Sequence, residues 1–136
     1  MPAVAGSNSG PPRATVLVVE DEPILRATTS DGLRARHYQV FEAGTAVEGA
    51  EVLRASGSVD VVFADINLPG VMGGLSFAVW LHERHPKIPV ILTSGVKTVG
   101  PALKGAGRVR FVPKPYDLDQ VAKLIEETVS ERGKSQ

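Results

Sequence analysis

The sequence contains no cysteine among its 136 residues. It can therefore form no disulfide, no thiolate nucleophile and no cysteine-ligated metal site, which is compatible with a reducing cytoplasm. No apolar segment approaches the roughly 18 residues that a membrane span requires. Residues 1–13 also lack the basic start and the apolar block of a signal peptide. We therefore expect a cytoplasmic protein that has no membrane partner.

The chain also lacks an excess of charge of either sign. It has 15 basic and 15 acidic residues, for a formal net charge of +0. A balanced chain does not carry the basic footprint with which proteins bind nucleic acid, so we expect no nucleic-acid partner. The apolar fraction of 43% is sufficient for one globular domain with a sizeable core.

Short apolar runs alternate with helical patterns along most of the chain. Residues 1–13 are rich in Gly, Ser, Pro and Ala and are predicted to form a disordered tail, with the domain at 14–132 and a frayed C-terminus at 133–136. Five strand-helix units predict an α/β fold, a doubly wound (βα)5 parallel sheet with helices on both faces. The predicted strands are Thr15–Val19, Tyr38–Ala43, Val59–Asp65, Ile88–Thr93 and Val109–Val112.

The sequence predicts some of the helices between these strands more clearly than others. Predicted helices cover Ile24–Arg36, the segment from Thr45 to Ser56, Leu75–Arg84 and a strongly amphipathic stretch from Asp117 onward. The fourth position, residues 96–107, contains several glycines and a proline, so it predicts only a short or irregular helix.

Asp65 stands at the carboxyl end of an apolar run that predicts a strand buried on both faces. Taken alone, an aspartate at this place most often opens the following turn. The alternative is that it projects into a crevice as a nucleophile or metal ligand, because the carboxyl ends of parallel strands are where open sheets place their sites.

Polar residues lie at the ends of three other predicted strands, and together they favour a functional role for Asp65. Glu20 and Asp21 follow the first strand, Thr93 ends the fourth, and Lys114 follows the fifth. Each has an ordinary interpretation as a turn or loop residue. Because the carboxyl ends of parallel strands share one edge, their joint occurrence favours a common site for phosphoryl chemistry.

A cluster of three carboxylates requires a cation. At an effective dielectric near 20, each close pair of carboxylates repels by roughly 4 kcal/mol. Mg²⁺ prefers oxygen ligands and is commonly bound by one or two carboxylates together with a phosphate oxygen. We therefore expect Glu20, Asp21 and Asp65 to hold Mg²⁺, with the backbone oxygen of Asn67 as a further ligand.

With that ion bound, Asp65 could attack a phosphorus atom and become an aspartyl phosphate. Lys114 would offset the charge of the phosphoryl group, and Thr93 would donate its hydroxyl to a phosphoryl oxygen. Ser94, beside Thr93, is small enough to leave room for the phosphoryl donor.

The ends of the predicted strands carry four motifs, which are Val18–Pro23, Asp65–Gly70 with the pair Gly73-Gly74, Ile91–Gly95 and Phe111–Pro115. With these motifs, the sequence from Ala14 to about Glu131 resembles the receiver domain of two-component response regulators, which has a flavodoxin-like, CheY-like fold. The resemblance implies that Asp65 accepts a phosphoryl group from a histidine kinase or phosphotransfer protein. It implies further that Glu20, Asp21, Asp65 and the Asn67 carbonyl hold Mg²⁺.

The same resemblance implies a conformational switch. Lys114 pairs with the phosphate and precedes a cis bond to Pro115, while Thr93 moves toward the phosphate and Phe111 fills the space that it leaves. The face of the fourth helix, fifth strand and fifth helix would then bind a downstream protein or form a homodimer. We expect no output domain, and at most self-phosphorylation and autodephosphorylation chemistry, so not an enzyme in the usual sense.

Several alternatives remain at this point. A phosphatase with an aspartyl intermediate would need a second acid where this chain has Asn67. A flavin or nucleotide module would need glycines in the turn at 20–23. A binding-only pseudo-receiver conflicts with the complete acid, hydroxyl and lysine set. A receiver fragment of a hybrid kinase has the same sequence features as a stand-alone receiver.

Four residues outside the site also receive predictions. Trp80 is expected to face partly outward, either as a covered edge of the core or as a partner-binding patch. The three histidines, His37, His82 and His85, are expected at the surface and not as metal ligands.

Overall fold

The computed structural model describes residues 10–68, 70, 73–95 and 109–134. Its described part contains a single five-stranded sheet in the order β2-β1-β3-β4-β5, in which every neighbouring pair is parallel. The predicted fold class is therefore confirmed. The predicted irregular helix at 96–107 lies outside the described residues. The strands are β1 (Thr15–Val19), β2 (Gln39–Ala43), β3 (Val61–Asp65), β4 (Val90–Ser94) and β5 (Val109–Pro113).

Four helices are described, and local sequence signals explain the ends of two of them. The Glu22 carboxylate caps α1 by accepting the backbone N–H groups of Ile24 and Leu25 at 3.2 and 2.7 Å. The Thr45 hydroxyl caps α2, which ends at Ser56 and is followed by Gly57 with a φ of 67°. The helices are α1 (Pro23–Ala35), α2 (Ala46–Ser56), α3 (Gly74–Arg84) and α4 (Leu118–Lys134), the last being the helix predicted from Asp117 onward.

The sheet is covered by an apolar layer on each face. Leu17 and Val19 point into a cluster with α2 and α3, whereas Val16 and Val18 point into a second cluster with α1 and α4. All residues of β1, β3 and β4 are buried. Because these central strands are parallel and covered on both faces, their carboxyl ends form the edge at which polar side chains can converge.

Some predicted boundaries differ from the structure by one or two residues. The predicted strand from Val59 begins at Val61, because Asp60 makes a different pairing with Thr15. The Asp60 N–H donates to the Thr15 carbonyl at 2.9 Å, and the Thr15 N–H donates to the Asp60 carboxylate at 2.8 Å. The predicted strand from Ile88 begins at Val90, because the Ile88 N–H closes a turn onto the His85 carbonyl.

Arg13, the last residue of the predicted tail, contacts the folded domain. Its N–H donates to the His37 carbonyl at 2.9 Å, its guanidinium pairs with Glu126 at 2.7 Å, and it lies 5.2 Å from the ring centre of Tyr38. Arg13 therefore packs against the folded domain, and the boundary at residue 14 stays a prediction. Residues 1–9 lie outside the described part of the chain.

Trp80 and the three histidines differ in how far their side chains are exposed. Trp80 is half-buried and stacks on Phe77 with ring centres 6.0 Å apart, which favours its interpretation as a covered edge of the core. His82 is exposed and His37 and His85 are half-buried, so all three retain solvent-exposed surface, as predicted. His85 is partly covered because its ring lies 5.4 Å from that of Trp80.

Among the described residues, no helix is both long and apolar enough to cross a membrane.

Candidate functional site: an acidic cluster with a lysine

Glu20 is held at the end of β1 by both its backbone and its side chain. The residue is buried, and one carboxylate oxygen accepts the N–H of Glu22 at 3.1 Å. The Glu20 carbonyl accepts Nη1 of Arg26 at 2.9 Å, which ties this loop to α1. Asp21, the next residue, is exposed. The loop therefore presents one buried and one exposed carboxylate at the edge of the sheet.

Asp65 ends β3 and is buried, with a relative exposure of 4%. Its Oδ1 accepts the backbone N–H of Asn67 at 2.8 Å, the pattern of a turn-opening aspartate. The sequence left a choice between turn opener and site residue. The turn-opening hydrogen bond is therefore present, and Asp65 also lies in an acidic cluster, because one oxygen of each carboxyl group of Asp65, Glu20 and Asp21 lies within 4.8 Å of the others.

Lys114 brings a positive charge to this cluster. Its Nζ lies 2.6 Å from Oδ2 of Asp65 and 3.0 Å from Oε1 of Glu20. The lysine reaches this position because its backbone N–H donates to the Ser94 carbonyl at 2.8 Å, which fastens the loop after β5 to the end of β4. The predicted cis bond between Lys114 and Pro115 is confirmed.

The protonation of the cluster follows from burial and proximity. Burial raises the pKa of Glu20, and the nearby charge of Asp65 adds to this, although the Glu22 N–H and Lys114 oppose it. Burial lowers the pKa of Lys114, but its hydrogen bonds and charge interactions with Asp65 and Glu20 outweigh that effect and raise it overall. Lys114 is therefore a firmly protonated counter-ion for the two buried acids.

Thr93 lies beside Asp65 in the sheet, as its register partner in β4. It is buried, and its hydroxyl oxygen has no hydrogen-bond partner among the described residues. Buried hydroxyl groups without a partner are uncommon, and the described residues contain two others, those of Ser30 and Ser56, whereas that of Thr93 belongs to the sheet neighbour of Asp65. The neighbouring Ser94 hydroxyl accepts the side-chain amide of Asn67 at 3.4 Å.

Phe111, the other predicted switch residue, lies in β5 opposite Leu92. It is half-buried and packs against the apolar cluster that contains α2 and α3. The predicted exchange of position between Phe111 and Thr93 stays a prediction.

The donor set fits a hard divalent cation. Three carboxylates converge within reach of one ion, and one ammonium group offsets only part of their charge. The Thr93 hydroxyl, in the strand position next to Asp65, could serve as a donor to an additional polar group. Glu20, Asp21 and Asp65 could hold Mg²⁺, whereas the described geometry leaves the proposed contribution of the Asn67 carbonyl untested.

Sequence reasoning missed several residues that support the site. Arg26 holds the Glu20 carbonyl, and the hydroxyl of Tyr116 meets that of Thr29 at 2.7 Å. The second pair joins residues 87 positions apart, and neither pair belongs to a sequence motif. Gly74 packs against the Asp65 backbone, and its place in a glycine pair was the only available signal.

The family model of the response regulator receiver domain matches residues 16–126. The chain belongs to this family. Sensor kinase CckA of Brucella abortus is 35% identical over 122 residues, covering 88% of this chain and 13% of the relative. The DNA-binding transcriptional regulator NtrC of Escherichia coli K12 is 34% identical, covering 87% and 25%. PrrA of Mycobacterium tuberculosis is 33% identical, covering 87% and 51%. This receiver domain thus spans between 13% and 51% of these relatives.

Solved structures support the same assignment of fold. A CheY-like receiver domain protein from Methanospirillum hungatei JF-1 superposes with a TM-score of 0.84 at 24% identity, covering 90% of this chain and 98% of that one. NtrX from Brucella abortus in complex with ATP gives a TM-score of 0.81 at 25% identity, covering 90% and 28%. The receiver domain is a signalling module, and the curated relatives include both a sensor kinase and transcriptional regulators.

Proposed function

We propose that this receiver domain accepts a phosphoryl group on Asp65 from a histidine kinase or a phosphotransfer protein, with Mg²⁺ bound beside it. The observation that carries the proposal is the contact of one ammonium group, Lys114, with both Asp65 and Glu20 at the carboxyl edge of the sheet. Four distant segments of the chain supply this site, and all of them lie within the family match.

The transfer is a displacement at phosphorus. An oxygen of the Asp65 carboxylate forms the new bond to phosphorus while the bond from phosphorus to the donor breaks, and the leaving group takes the electron pair of that bond. The donor bond is P–N for a phosphohistidine and P–O for acetyl phosphate. Lys114 offsets the charge on the phosphoryl oxygens, and the Thr93 hydroxyl gains a partner. A bound Mg²⁺ supplies further positive charge to the phosphoryl oxygens.

The consequence for signalling is a change in partner binding. A groove of about 330 Å³ lies between β5 and α4, and its lining residues are Phe111, Val112, Gln120, Lys123, Leu124 and Glu127. Phe111 belongs both to this groove and to the proposed switch. We infer that phosphorylation alters this face and so its affinity for a downstream protein or for a second receiver domain.

The direct test is incubation with acetyl phosphate or phosphoramidate and Mg²⁺, followed by intact-protein mass spectrometry. We expect the addition of one phosphoryl group, suppressed by EDTA and lost in Asp65→Asn. Asp31→Asn is the matched control, because Asp31 is an exposed aspartate of α1 that pairs with Arg34 outside the cluster. An unchanged mass of the wild-type protein would favour a binding-only domain instead.

A further inference from the structure

A hydroxyl pair links the loop of Lys114 to α1. The hydroxyl oxygens of Tyr116 and Thr29 share a hydrogen bond of 2.7 Å, although 87 positions separate the two residues. Thr29 is buried, with a relative exposure of 2%, and Tyr116 is half-buried. A hydrogen bond at such a place holds its partners in a defined geometry, because leaving either hydroxyl unpaired would be unfavourable.

The ring of Tyr116 is fixed independently of its hydroxyl. It meets Phe63 edge to face, with ring centres 5.3 Å apart and an interplanar angle of 71°. Phe63 is fully buried in β3, two positions before Asp65. The tyrosine therefore contacts the strand that carries the phosphoacceptor and the helix that follows Glu20.

The other end of the same loop is also fastened. The Lys114 N–H donates to the Ser94 carbonyl at 2.8 Å, and Tyr116 follows two residues later. Lys114 thus lies in a short segment that is attached to β4 on one side and to α1 and β3 on the other. Its amine is within 3.0 Å of both buried carboxylates only while this segment keeps its place.

We propose that Tyr116 and Thr29 form a positioning pair that holds the amine of Lys114 at Asp65. This inference rests on the proposed phosphoryl transfer for its effect on rate. Loss of either hydroxyl frees one attachment of the loop and lets the amine leave its position. Because misplacement of a charge-stabilising group by about 1 Å can reduce a rate strongly, we expect a roughly three- to tenfold slower labelling of Asp65.

The variants separate positioning from packing. Tyr116→Phe keeps the ring against Phe63 and removes only the hydroxyl, and Thr29→Val removes the other hydroxyl. Thr29→Ser retains a hydroxyl and should restore most of the rate. Tyr38→Phe is the matched control, because it removes a tyrosine hydroxyl from the same apolar cluster. Tyr38 precedes Gln39, which pairs with Thr15 at the amino end of the sheet, opposite the edge that carries Lys114.

Two readouts test the proposal. The first is the rate of labelling by acetyl phosphate, in which Tyr116→Phe, Thr29→Val and the double variant should be slowed equally, because all three break the same bond. The second is the NMR signal of the Lys114 side-chain amine in the unphosphorylated protein, assigned with Lys114→Arg. It should shift in Tyr116→Phe and Thr29→Val but not in Tyr38→Phe or Thr29→Ser.

The outcomes distinguish this proposal from the one on which it rests. An amine signal that is the same in Tyr116→Phe as in the wild type, or losses of rate that add in the double variant, would overturn the positioning pair. Wild-type protein that takes no phosphoryl group would overturn the proposed function, while the shift of the amine signal would still support the pair. Urea unfolding of each variant verifies that the compared proteins are folded.

Discussion

Gly74 lies directly against the backbone of Asp65, where α3 begins beside the end of β3. A Cβ atom at position 74 would overlap the Asp65 carbonyl, and the Gly74 N–H donates to the Ile66 carbonyl at 3.0 Å. The strand that ends at Asp65 and the following helix can approach so closely only because position 74 has no side chain.

The first prediction concerns this contact. Gly74→Ala should lower the free energy of unfolding by about 1–3 kcal/mol, because backbone atoms must move to admit the methyl group. It should also slow the labelling of Asp65, since the displaced atoms belong to that residue. Urea unfolding and acetyl phosphate labelling measure the two effects.

Gly73→Ala is the matched control for that substitution. A Cβ at Gly73 would meet its nearest atoms at 3.8 and 4.0 Å, which is ordinary contact, and its φ of −78° is accessible to alanine. Similar losses of stability at positions 73 and 74 would show that helix-end propensity, and not contact with Asp65, determines the result.

The second prediction concerns the buried hydroxyl of Thr93. Thr93→Val should raise the free energy of unfolding of the unphosphorylated protein by about 1 kcal/mol, because it removes a hydroxyl that is buried without a partner among the described residues. The same change should slow labelling, since the phosphoryl group loses a donor. Thermal or urea unfolding measured beside labelling would reveal a variant that is more stable and less active.

Thr128 provides the comparison for this effect. It is also buried, but its hydroxyl donates to the Leu124 carbonyl at 2.6 Å. Thr128→Val should therefore bring no such gain in stability. A gain of equal size at both positions would attribute the effect to valine itself and remove the argument for a site at Thr93.

The third prediction concerns pH and follows from Glu20. Burial raises the pKa of this carboxyl above its ordinary value of about 4.5, so the folded protein holds the proton more tightly than the unfolded chain. The stability that Glu20 contributes is therefore present below the ordinary pKa and is lost as the pH rises through the folded pKa. Without divalent cations, Glu20→Gln should be more stable than the wild type at pH 7, and the difference should shrink toward pH 4.

Chemical unfolding in EDTA across this pH range measures the difference, with the exposed Glu51→Gln as a control for the change of charge. Addition of Mg²⁺ should stabilise the wild type more than Glu20→Gln, because only the wild type retains all three carboxylates. A difference between the two proteins that does not change with pH would contradict this account of the buried carboxyl.

The sheet was predictable because its strands are continuous apolar runs that end in turn signals. Val16 to Val19 and Val61 to Ala64 are buried on both faces, as β-branched runs in parallel sheets usually are. The ends of the strands were less predictable. Asp60 reads as part of an apolar run, yet its hydrogen bonds with Thr15 place it before β3.

The convergence of the acidic residues and Lys114 was predictable from the sequence, whereas the tertiary contacts that hold them in place were not. Glu20, Asp65 and Lys114 each lie at the carboxyl end of a strand, so parallel topology alone brings them to one edge. The contact of Tyr116 with Thr29 depends on how α1 packs beside the loop after β5, and no local pattern encodes that packing. The partial burial of His85 likewise depends on a tertiary contact, that with Trp80, which no local pattern encodes.

The last prediction separates the exposed acid of the cluster from the buried ones. Asp21 is exposed, so its removal should leave the fold intact, yet one of its oxygens lies within 4.8 Å of those of Glu20 and Asp65. Asp21→Asn should therefore weaken Mg²⁺ binding by roughly tenfold or more, since the ion loses an anionic oxygen but keeps its other ligands. Titration calorimetry would measure the affinity, with Asp31→Asn as the control. Equal affinities in Asp21→Asn and the wild type would place the ion elsewhere, because a carboxylate this close to a bound divalent cation must contribute to its affinity.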